Sequence, residues 1–90
     1  MNYYVYILKS EADQSFYIGQ TQNIGKRLIK HNAGLNQSTS TKRPWKLIHE
    51  KVCETRSDAM KHERYLKSLK KRSAVLQWIE KDIRGVAQPG

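Results

Sequence analysis

Cysteine and acid are both scarce in this chain of 90 residues, and each scarcity excludes something. With Cys53 as the single cysteine, no internal disulfide can form, and cysteine usage gives no sign of an oxidising compartment. Cys53 lies in an apolar strand pattern and reads as a small core residue rather than a nucleophile. No apolar stretch is long enough to cross a bilayer, and no basic region followed by an apolar run opens the chain. A cytoplasmic protein with no membrane role is therefore expected. Eight Asp and Glu face seventeen Lys and Arg, giving a net charge of +9. The basic residues run along the whole length, so the natural partner is a polyanion, with nucleic acid favoured over a membrane surface. There is no Gly-rich phosphate loop, no CxxC or HxxxH spacing around His49, His62 and Cys53, and no evident Ser-His-Asp arrangement, which argues against nucleotide-loop, zinc and serine-hydrolase chemistry.

What the chain does contain is strand and helix signal in a clear order. Tyr3 to Lys9 is rich in aromatic and β-branched residues and apolar on both faces, the pattern of a central strand covered on each side. Ser10 to Asp13 reads as a turn and Ser15 to Gln20 as the returning strand. A four-residue turn there places Tyr6 directly opposite Tyr17, on one face of the ladder. Asn23 can cap a helix from Ile24 to about Asn32, ended by Ala33-Gly34. The polar stretch from Leu35 to Pro44 reads as an exposed loop, and Trp45 to Val52 as a third strand. Thr55 or Ser57 caps a second helix to about Lys70, and a third runs from Ser73 through Lys81. The expected fold is α+β, in the order β-β-α-β-α-α. It is a three-stranded antiparallel-type sheet with the first strand central, flanked by three helices. Residues 1–83 form the domain and 84–90 a flexible tail.

Several residues break the apolar pattern. Arg27 and His31 lie four apart on the first helix and share a face bordering the stripe of Ile24 and Leu28. A solvated Arg and a helix-capping His would explain them in isolation; facing Tyr6 and Tyr17 makes that less apt. Glu63 falls on the inward stripe of the second helix with Ala59 and Leu66, where a carboxylate needs a cationic partner or a metal. A single carboxylate suits Mg²⁺, which keeps several waters and takes phosphate oxygens as ligands. His49 reads as an outward position of the third strand and His62 as a flank of Glu63.

At these residues the sequence resembles the GIY-YIG nuclease superfamily, in particular its small stand-alone bacterial single-domain members. The resemblance extends to the catalytic domains of its excision-repair and homing endonucleases. Tyr4-Val5-Tyr6 stands where the family has its first triplet, with Tyr4 in place of the glycine, and Tyr17-Ile18-Gly19 where it has its second. Arg27 to Asn32 resembles the helix carrying the family's arginine and histidine. Ser40 to Leu47 resembles its loop into the third strand, and Ala59 to Lys67 its helix with the metal-binding glutamate. Residues 2 to about 76 are covered. Many members also carry a polar residue, often Asn, near the domain's end, and none can be placed here.

The resemblance implies one-step, metal-assisted hydrolysis of a phosphodiester in nucleic acid, with DNA the expected substrate, low sequence specificity and a role in repair. Tyr6, Tyr17, Arg27, His31 and Glu63 are the implied catalytic residues. Glu63 holds one Mg²⁺ or Mn²⁺, Tyr6 serves as or positions the general base, and Arg27 binds the non-bridging oxygens. His31 and Tyr17 orient water and phosphate. Gly19 is expected to let the backbone pass close to a helix or substrate. Lys42, Arg43, Lys67, Lys70, Lys71 and Arg72 are candidates for tracking the nucleic-acid backbone. A monomer is expected, with a protein partner left open. The five catalytic candidates are expected to converge on one concave surface. The competing reading is a basic nucleic-acid-binding module on the same fold that does not cleave. A purely structural domain would leave the charge and the tyrosine pairing unexplained.

Overall fold

A computed structural model describes residues 2–35 and 39–83 of the chain. The elements are β1 (Tyr3–Ser10), β2 (Phe16–Thr21), α1 (Ile24–Asn32), β3 (Trp45–Cys53), α2 (Arg56–Ser68) and α3 (Arg72–Ile83), with a short 3₁₀ turn at Ser40–Lys42 before β3. The sheet order is β2-β1-β3, antiparallel throughout, so the first strand is central and the class is α+β. Its position explains its composition: Val5 and Ile7 are buried on one face, Tyr6 and Leu8 on the other. The expected tail at 84–90 lies outside the described residues.

Two cores result. On one face, Val5, Ile7 and Cys53 pack with Ala59 and Leu66 of α2 and with Val75, Trp78 and Ile79 of α3. On the other, Tyr6, Leu8 and Trp45 pack with Ile24 and Leu28 of α1. Both cores take side chains from β3, and a bulge between the Ile7 and Leu8 pairings decides which residues serve which core. Ile7 pairs with His49 but Leu8 pairs with Leu47, leaving Ile48 as the extra residue. Without it, Trp45, Leu47, His49, Lys51 and Cys53 would all face one way. With it, Trp45 and Leu47 serve the α1 core while His49, Lys51 and Cys53 turn to the α3 side. His49 is therefore not outward-facing as expected: its Nε2 lies 2.7 Å from Asp82 Oδ2, and its ring packs against Trp78.

The hairpin register also departs from expectation. The four-residue loop is Glu11–Gln14, one position later than the sequence suggests, because Ser10 completes the strand with its amide donating to Ser15 O. The buried Ser10 Oγ accepts the amides of Ala12 and Asp13, and Gln14 turns the chain at φ 68°. Tyr6 therefore pairs with Gly19, and Tyr17 pairs with Leu8. A shift of two preserves the faces, so the tyrosines are diagonal rather than direct neighbours. Helix starts follow their caps: Asn23 Oδ1 accepts the Lys26 amide, and Thr55, not Ser57, caps α2 by accepting from Asp58.

Candidate active site

Tyr6 projects from the central strand over Gly19 of the edge strand β2. A Cβ at residue 19 would lie 2.7 Å from the Tyr6 hydroxyl oxygen and 3.1 Å from a Tyr17 ring carbon, so a side chain there would displace the phenols. The close approach that glycine permits within the protein is to Tyr6, a strand residue, and not to a helix. The ring centroids of Tyr6 and Tyr17 are 6.1 Å apart, and Tyr17 meets the His31 ring edge-on at 4.7 Å.

His31 comes from the last turn of α1 and is 1% exposed. Its Nε2 lies 3.2 Å from the Tyr6 hydroxyl, and its Nδ1 lies 2.8 Å from Oγ1 of Thr39. Thr39 is equally buried, and its carbonyl accepts from the Trp45 indole. A buried chain of phenol, imidazole and hydroxyl thus runs from the sheet into the loop before β3. Asn32 fixes that loop's exit, with its side-chain amide donating to Trp45 O and its Oδ1 accepting from Trp45 N. The stretch read as an exposed loop therefore has a buried anchor; residues 36–38 lie outside the described residues. Thr39 and Asn32 were not among the sequence candidates. Nothing local marks Thr39 within a Ser/Thr-rich run.

The electrostatics follow from burial. Burial pushes the Tyr6 phenol well above its ordinary value; Tyr17 and the Glu63 charge add to this, and Arg27 opposes it. The phenol is protonated at neutral pH. Burial, then the Arg27 charge, pushes the His31 imidazole down, which keeps it neutral. Arg27 itself, one turn before His31, is exposed at the rim.

Glu63 arrives differently from the other four. It stands on α2, packed on the opposite face of the sheet from the Tyr6 ring, so the five groups do not share one face. Its carboxylate sits beside Gln20 of β2 in a groove of about 330 Å³ at the sheet edge, and its charge reaches Tyr6 from there. The side chain is 19% exposed, with Lys67 Nζ 2.6 Å from Oε2. Among the described residues no three His, Cys, Asp or Glu gather to hold a metal. A lone, half-buried carboxylate fits a hydrated Mg²⁺ or Mn²⁺ that also takes phosphate oxygens, once Lys67 gives way.

The other basic candidates divide. Lys67, Lys70, Lys71 and Arg72 line a groove of about 530 Å³ between β2 and the α2–α3 junction, where the Arg72 guanidinium lies 5.9 Å from the Phe16 ring centre. Lys42 and Arg43 lie elsewhere: Lys42 pairs with Asp13 at 3.6 Å, and Arg43 Nε donates to Ser40 O. No helix among the described residues is long and apolar enough to cross a membrane.

Comparison with known proteins bears on the family and the fold. Residues 2–76 match the GIY-YIG catalytic domain. A UPF0213 protein of Listeria welshimeri is 38% identical over 81 residues, covering 89% of each chain. One from Natronomonas pharaonis is 38% identical over 69 residues, covering 76% of this chain and 80% of its own. The solution NMR structure of a UPF0213 protein from Bacillus halodurans superposes with a TM-score of 0.57 at 32% identity, over 89% of this chain and 84% of that one. The fold, the two tyrosine triplets and the matched span together show that the chain belongs to the GIY-YIG family, a nuclease-type family, and is related within it to the UPF0213 proteins.

Proposed function

We propose that the protein is a metal-dependent endonuclease that hydrolyses phosphodiester bonds in nucleic acid, with DNA as the preferred substrate and little sequence specificity. The observation that carries this reading is the buried Tyr6–His31–Thr39 chain, whose phenol feels the charges of both Arg27 and Glu63. Burying three hydrogen-bonded polar side chains gives little net stability, and an apolar core would serve packing as well.

The chemistry starts from the protonated phenol. With its pKa raised by burial, Tyr6 cannot act as a free phenolate base. In the tautomer whose Nδ1–H donates to Thr39 Oγ1, His31 Nε2 is an acceptor aimed at the Tyr6 hydroxyl. Tyr6 takes a proton from the attacking water as it passes its own to Nε2. The water oxygen bonds to phosphorus, the P–O3′ bond breaks, and the leaving oxygen is protonated from solvent. Arg27 binds the non-bridging oxygens as their charge grows. Glu63 would hold Mg²⁺ or Mn²⁺, which supplies Lewis-acid polarisation of the phosphate and neutralises the leaving oxygen. Lys67 exchanges its hold on Glu63 for a phosphate as substrate binds.

The Glu63–Lys67 ion pair also favours a second reading, a binding module that does not cleave, because it already satisfies the carboxylate. A panel of linear, nicked, branched and single-stranded substrates with Mg²⁺, Mn²⁺ or EDTA separates the two. Metal-dependent cutting supports the nuclease. Tight binding with no cutting under either metal supports the module.

A further inference from the structure

We propose that a nucleic-acid backbone runs along the open edge of β2, in one continuous cationic trough that carries almost all of the protein's excess charge. The proposal rests on the nucleic-acid reading above and adds the path. Three grooves meet there. At the Thr21 end, Lys26, Lys30 and Arg56 join Arg27 around a groove of about 510 Å³. In the middle, Arg64 and Lys67 flank Glu63, and this groove shares Gln20 with the first. At the Phe16 end, Lys70, Lys71 and Arg72 line the third, which shares Lys67 with the middle one.

The charge count decides between a path and a coincidence. Among the described residues, nine of the sixteen Lys and Arg line the trough, against one of the eight acids, Glu63. The trough therefore carries a charge of +8, and the seven cations and seven acids elsewhere among the described residues cancel. Elsewhere the charges also meet in pairs, as in Lys42 with Asp13 and Lys51 with Asp82. A basic surface serving solubility alone would be spread around the molecule; this one follows a single strand edge.

The geometry suits a chain of phosphates. The β2 edge is six residues long, roughly 17–20 Å at strand rise, with cationic groups continuing past both ends. Glu63 lines the middle one of the three grooves, so a strand following the trough brings one phosphate to the proposed reaction centre and holds its neighbours on either side. Lys26, Lys30 and Arg56 come from two helices and are distant in sequence, which is why the path is visible only in the folded chain.

The test removes equal charge from two places. Lys26→Gln, Lys30→Gln and Arg56→Gln together spare all five proposed catalytic side chains. The control is Lys46→Gln, Lys61→Gln and Lys81→Gln, three exposed residues outside the trough. Affinity for a fluorescent DNA oligonucleotide is measured in EDTA over a range of salt, with an anionic phospholipid vesicle as a second polyanion. The trough variant should bind DNA at least about 30-fold more weakly, with a salt slope smaller by about 2 to 3. The control should stay within about threefold of wild type. Equal losses in the two variants overturn the path, even if the wild type cuts DNA. A selective loss in the trough variant of a protein that never cuts upholds the path and removes the nuclease reading instead. Binding of vesicles in preference to DNA, lost in the same variant, overturns the choice of nucleic acid as occupant.

Discussion

The two faces of the sheet bury polar groups in opposite ways. On the α1 face, Tyr6, His31 and Thr39 are buried, hydrogen-bonded and neutral, and they lead to a rim where Arg27 is exposed. On the α3 face, Asp82 is ionised and closed off: His49 and Lys51 bind its two oxygens at 2.7 and 2.8 Å, and Trp78 covers the group. The second cluster neutralises itself and pins α3 to β3. The first is satisfied internally but carries no charge of its own, and the charges of Arg27 and Glu63 act on its phenol from outside. Buried polarity alone does not mark a functional site; what distinguishes the two is whether the network holds its own counter-charges or feels unlike charges from elements around it.

That distinction predicts which variants separate chemistry from stability. The largest effect is expected at Glu63, which opens to the trough. Glu63→Ala should lower metal-dependent cleavage on the order of 10³-fold, while binding in EDTA holds or tightens because a negative charge leaves a cationic groove. Cleavage that survives would place the reaction elsewhere.

Asp82→Asn should do the reverse, leaving cleavage intact and costing about 1–3 kcal/mol of folding stability in a denaturant titration. Its pH dependence has a definite sign. Burial raises the Asp82 pKa, but bonds from Lys51 and His49 outweigh it and hold the carboxyl below its ordinary value. The stabilisation is therefore present above the unfolded carboxylate pKa and is lost as pH falls through the lower folded one. The gap between wild type and Asp82→Asn should close in acid. A gap that persists below both values would contradict the clamp.

The smallest effect concerns Thr39. Thr39→Val keeps the shape but removes the partner of His31 Nδ1, and should slow cleavage about tenfold, roughly one hydrogen bond's worth. Thr39→Ser should restore it. If valine and serine behave alike, Thr39 is only packing.

Much of this was legible before the fold was known. Two-faced apolarity marked β1 as central, Asn23 and Thr55 marked helix starts, and the tyrosine triplets drew attention to the candidate site. What the sequence hid was non-local. The hairpin register depends on Ser10 capping its own turn, which moves Tyr6 from Tyr17 to Gly19. The facing of His49 depends on a bulge that no residue type announces. Glu63 looked inward on its helix, and it is, but toward the sheet's other face; only the edge strand brings its charge near Tyr6. Thr39 is a polar residue in a polar run until His31 packs against it.

Tyr6→Phe tests the central claim most directly, because it removes one oxygen at the point where the buried chain meets the proposed reaction centre. Cleavage, DNA affinity in EDTA and thermal stability would be measured on the same preparation. The account predicts cleavage lower by about 100-fold or more, unchanged affinity, and a stability cost of about 1 kcal/mol from the unpartnered His31 nitrogen. A Tyr6→Phe protein that cuts at the wild-type rate would contradict it.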